Sequence, residues 1–76
     1  MQTTRRVNGF TFKLAGEEEN KCYEARGREV TNEYGDKMPE PAILEAGAKL
    51  KKELKSEGHN AMCGFSEKGW VEVWVD

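Results

Sequence analysis

The alternation of apolar and polar residues changes rhythm several times along this chain. Near the N-terminus the rhythm has period two. Phe10, Phe12 and Leu14 alternate with Thr11 and Lys13, as in a strand with one buried face. Just before them stands Val7-Asn8-Gly9-Phe10. Asn-Gly accepts positive φ at both central positions of a type I′ turn, whose twist suits two antiparallel strands. A hairpin of Thr3–Val7 with Phe10–Leu14 is therefore predicted. Ala15–Asn20 (AGEEEN) reads as an acidic loop. In Lys21–Val30, Cys22, Tyr23 and Ala25 suit a short third strand, while Gly27 suggests a bulge or an early end. Asn32, Gly35, Asp36 and Pro39 punctuate Thr31–Glu40, which reads as a loop.

The period then lengthens. Ile43, Leu44, Ala46, Gly47, Leu50 and Leu54 recur at helical spacing, with Glu45, Lys49, Lys52, Glu53 and Lys55 between them. Pro41 suits the first turn, where its missing N–H costs nothing, and Gly58 suits a left-handed C-terminal cap. Gly47 costs ~1 kcal/mol against Ala in a helix interior. Its place on the apolar face points to close approach to a sheet. His59–Phe65 and Trp70–Val75 return to period two and read as a terminal hairpin around Ser66-Glu67-Lys68-Gly69. Val71, Val73 and Val75 face one way; Trp70, Glu72 and Trp74 face the other. The predicted fold is α+β: an antiparallel sheet of four to five strands, order β-β-(β)-α-β-β, with one helix packed on one face. Residues 1–76 form a single small domain on this reading.

Composition qualifies the picture. Ile, Leu, Val and Phe together number 13 of 76 residues, under the ~20% that flags disorder. Disorder also needs a high net charge, and here 12 basic against 14 acidic residues leave only -2. Two Trp, two Tyr and three Met add bulk. A folded domain with a thin core follows. A core of this size rarely supplies more than ~3–5 kcal/mol, so either stability is modest or a partner or second copy covers apolar surface. No apolar run reaches the ~18–20 residues of a membrane span, and no signal-peptide pattern follows Met1. A cytoplasmic setting is expected, with Cys22 and Cys63 reduced.

Candidate chemistry is sparse. One helix covers one side of the sheet, and the Val71/Val73/Val75 face is its natural partner. Trp70 and Trp74 then flank Glu72 on the other side, about 13 Å apart. Such rings suit a protein interface, or stack on unpaired bases, or cover the second face by packing on Met62 or the first hairpin. The acidic residues Glu17, Glu18, Glu19 and Asp36 sit in loops, where they suit a basic partner surface or serve solubility. A second candidate set is basic: Arg5, Arg6, Arg26 and Arg28 on or near strands, with Lys52 and Lys55 on the solvent side of the helix. These suit phosphate contact, although Glu45–Lys49 and Lys49–Glu53 are ordinary i,i+4 pairs of a solvated helix. His59 and Cys63 on one strand lie about 13 Å apart, too far to share an ion or a proton. No metal, cofactor or catalytic residue is expected, and no enzyme.

The leading expectation is a small protein-binding module, an inhibitor or adaptor such as a phage-type blocker of a host complex. Its contacts would be Trp70, Glu72, Trp74 and the acidic loops. A nucleic-acid-binding domain using the sheet face and the arginines is the first alternative. A self-assembling subunit, in which a second copy covers the open face or an edge strand, is the second.

Overall fold

The computed structural model describes residues 2–16, 21–66 and 68–76. Among these residues seven strands and one helix follow in order: β1 (Thr4–Val7), β2 (Phe10–Ala15), β3 (Lys21–Arg26), β4 (Glu29–Thr31), β5 (Lys37–Pro39), α1 (Pro41–Ser56), β6 (Ala61–Phe65) and β7 (Trp70–Val75). Five of the strands form one antiparallel sheet in the order β1-β2-β3-β7-β6, and β4 and β5 pair separately. This is the α+β architecture expected from the residue pattern, with the third strand present and ending at Arg26, just before Gly27.

Local chemistry accounts for the boundaries. Asn8 and Gly9 take φ of 51° and 85°, so the first hairpin turns as Asn-Gly requires, and Val7 faces Phe10 across it. Helix α1 opens on Pro41 and closes with paired bonds: the Gly58 N–H donates to the Lys55 carbonyl (3.1 Å) and the His59 N–H to the Leu54 carbonyl (3.0 Å). That is the Schellman arrangement, which satisfies carbonyls a helix end leaves open.

The segment read as a loop beyond Thr31 contains structure. Thr31 pairs with Lys37, Val30 with Met38 and Glu29 with Pro39. Asn32 organises the turn: its side-chain oxygen accepts from the N–H groups of Tyr34 (2.9 Å) and Asp36 (3.0 Å). The turn residues are legible in the chain, but strands of three residues are too short to show an alternation.

The core lies between α1 and the sheet. Phe12, Tyr23, Ile43, Ala46, Leu50, Leu54, Val71 and Val73 have no exposed surface. Gly47 lets the helix come down closely, since a Cβ there would stand 2.6 Å from Val71 Cγ1 and 3.2 Å from Cys63 Sγ. The Tyr23 hydroxyl donates to the Gln2 carbonyl (2.5 Å), so the buried phenol is satisfied. At the far end Arg5 holds Glu57 through two nitrogens (3.1 and 2.6 Å) and approaches Glu53 (3.6 Å). This tie joins the last turn of α1 to strand β1.

Candidate interaction face

The strand register settles which residues share the face away from the helix. Pairing runs Met62↔Trp74, Trp74↔Cys22 and Cys22↔Ala15. These four side chains form one row across the sheet. The next row is Gly64, Glu72, Glu24, Lys13 and Thr4. A third joins Trp70 to Arg26. The intervening residues Val71, Val73, Val75, Tyr23 and Ala25 point to the helix and are buried. Among the described residues no element covers the opposite face as α1 covers this one.

The two tryptophans differ. Trp74 is 43% exposed and its neighbour Met62 is 72% exposed. Trp70 is half-buried, with the Arg26 guanidinium 5.9 Å from its ring centre. That distance is within reach of a cation–π contact. Arg26 also donates to the Lys68 carbonyl (3.2 Å). One indole is thus engaged within the chain and the other is free along one side.

Between the rings lies an electrostatic mismatch. Glu24 stands directly opposite Glu72. The Gly27 N–H donates to the Gly69 carbonyl, so residues 69, 71, 73 and 75 bond toward β3. Glu24 and Glu72 are therefore a non-hydrogen-bonded pair, the type in which side chains come closest. Like charges so placed are destabilising. Among the described residues neither carboxylate forms an ion pair. Cys22 is buried against this field. Burial raises its thiol pKa, and the charges of Glu24 and Glu72 raise it further.

The other predicted residues scatter. Arg5 lies on the helix side of β1, tied to Glu57. Arg6 lies on the bare face and donates to Thr11 Oγ1 (3.2 Å) and the Gly9 carbonyl (3.3 Å). Arg28 stands off the main sheet, 3.4 Å from Glu40. Lys52 and Lys55 are exposed on α1. Arg6 and Arg26 thus share the bare face with Lys13, and the other predicted basic residues lie elsewhere. Asp36 sits in the β4–β5 turn. Glu17, Glu18 and Glu19 lie outside the described residues. Among the described residues no three His, Cys, Asp or Glu side chains come together as metal ligands, and no helix is long and apolar enough to cross a membrane.

One participant escapes sequence reasoning. Met62 is found once the terminal hairpin register is drawn, because residues 62 and 74 are then partners. Glu24 is not, since β3 and β7 are far apart in the chain. Compared with known proteins, the chain matches no family model, no curated protein and no solved structure. The functional reading rests on geometry alone.

Proposed function

We propose that this chain is a non-enzymatic protein-binding module, acting as an inhibitor or adaptor, and that it meets its partner through the bare sheet face centred on Trp74. The observation that carries the reading is the row of Met62 and Trp74, exposed at 72% and 43%, beside the Glu24/Glu72 pair. Aromatic and Met side chains are enriched where protein surfaces meet. A lysine or arginine from the partner, set between the two carboxylates, replaces a repulsion with an attraction. The complementary partner surface therefore presents an apolar group flanked by a cation.

The test is capture from lysate of the source cell with tagged wild type, Trp74→Ala and the Met62→Ala/Trp74→Ala pair, each checked by circular dichroism. The expected result is one protein retained by wild type and lost with the paired variant, whose spectrum is unchanged. Loss of a central indole typically weakens an interface by about 2 kcal/mol or more, roughly 30-fold. Undiminished capture by the paired variant refutes the reading. So does capture that is nuclease-sensitive and falls steeply with salt, which marks phosphate contacts.

A further inference from the structure

The sheet has two edges, and they are built differently. Strand β1 reads Thr-Arg-Arg-Val; two charges in four residues guard an edge against pairing. Strand β6 reads Ala-Met-Cys-Gly-Phe, with no charge and no proline. Met62 and Phe65 are 72% and 59% exposed, and Cys63 is exposed as well. An edge of this kind is a template for another strand.

Backbone bonds show which groups are free. The Ser66 N–H donates to the Trp70 carbonyl (2.9 Å) and the Asp76 N–H to the Asn60 carbonyl (3.0 Å). Alternation then turns residues 60, 62, 64 and 66 toward β7. Ala61, Cys63 and Phe65 turn their N–H and C=O groups outward. Among the described residues no hydrogen bond from another element reaches those outward groups.

We propose that β6 pairs antiparallel with β6 of a second copy, centred on Cys63, joining two five-stranded sheets across a two-fold axis. The strand's own size pattern selects this occupant. Centred on Cys63, the pairing sets Met62 against Gly64 of the second copy, and Phe65 against Ala61. Each large side chain meets a small one, and the reciprocal contacts do the same, as a two-fold interface requires. A register shifted by one residue in either direction loses this match and sets Met62 beside a large side chain or off the strand end. The three outward residues supply three pairs, each exchanging two N–H···O bonds. The two Cys63 residues form the central pair, with Cα atoms about 5.5 Å apart, inside the ~4.4–6.8 Å range of a disulfide. Gly47 stands over the Cys63 sulfur and Lys51 follows it by one turn on the same side of α1, so pairing brings two ammonium groups toward the axis.

The test is light scattering on the full chain under reductant, from micromolar to millimolar protein, with amide exchange at both ends of the series. The expected result is a dimer in which the N–H groups of 61, 63 and 65 become protected with concentration. Added salt strengthens it by screening the lysines. Phe65→Lys raises the dissociation constant by about 30-fold and leaves circular dichroism unchanged, whereas Trp74→Ala leaves the dimer intact. Treated with diamide, the two Cys63 thiols lose two protons and two electrons to the azo bond of the oxidant, giving a hydrazine and a Cys63–Cys63 link that mass spectrometry reads. A monomer throughout the series overturns the proposal. So does a dimer broken by Trp74→Ala but not by Phe65→Lys, which moves the contact to the bare face and leaves the edge free for a strand of another protein.

Discussion

Replacing Gly47 by alanine sets two known terms against each other. At an open position in a helix interior the change stabilises by ~1 kcal/mol, because glycine is the poorer helix former. Here the added methyl would stand 2.6 Å from Val71 Cγ1 and 3.2 Å from Cys63 Sγ. The cysteine lies at an exposed edge and yields by rotation. Val71 has no exposed surface and its β-branched side chain has few rotamers, so relief requires the helix to lift from the sheet. Overpacking of this kind costs ~1–3 kcal/mol. After the propensity gain, a net destabilisation of about 1–2 kcal/mol is expected. Urea denaturation followed by circular dichroism measures it. A double-mutant cycle with Val71→Ala assigns the cause, since removing Cγ1 relieves the contact and makes Gly47→Ala neutral or favourable in that background. If Gly47→Ala alone stabilises by ~1 kcal/mol, the close approach of α1 to β7 is wrong.

Two further outcomes follow from charge. Glu72→Lys converts the Glu24 pair to opposite charges and is expected to stabilise by roughly 0.2–1 kcal/mol while weakening partner capture, a stability gain at the expense of function; a variant that gains stability and keeps full capture detaches the carboxylates from binding. The hydrogen bond from Arg5 holds the Glu57 carboxyl below its ordinary pKa, so its stabilising contribution is present above the unfolded value near ~4.3 and is lost as pH falls through the lower folded value; wild type and Glu57→Gln should differ in urea midpoint at neutral pH and converge in acid, and a constant gap refutes the assignment.

Local signals made the hairpins and the helix readable. Asn8-Gly9 is a turn with a conformational requirement, and α1 carries a long apolar stripe between a proline and a glycine. Val71, Val73 and Val75 announce which side of β7 is buried, and with it the side that bears Trp74. What stayed hidden is non-local. The neighbours of Trp74 in β3, the opposition of Glu24 and Glu72, and the capture of Trp70 by Arg26 all depend on β3 pairing with β7, a contact between segments separated by α1 and the small hairpin. No periodicity within either strand encodes it. The arginines show the converse: Arg5 and Arg6 are adjacent in sequence, yet strand alternation sends one to the helix side and the other to the bare face. Proximity in the chain suggested a patch that the pleat divides.

The edge and the face meet at Met62, and this links the two proposals. A two-fold axis perpendicular to the sheet keeps both bare faces on one side. Setting Met62 against Gly64 of the second copy extends the row Cys22, Trp74, Met62 directly into Gly64, Glu72 and Glu24 of that copy. The apolar stretch of one molecule thus runs into the acidic stretch of the other, twice, in opposite directions. A partner that repeats its apolar and basic groups about a two-fold axis would be held at both places at once, and the second contact would form at an effective concentration far above that in solution. Phe65→Lys would then weaken capture of such a partner without altering any residue of the face, whereas for a partner engaging one face alone it would change nothing. The thin core and the uncharged β6 edge thereby acquire one explanation: apolar surface that a monomer of this size leaves uncovered is divided between a second copy and a partner.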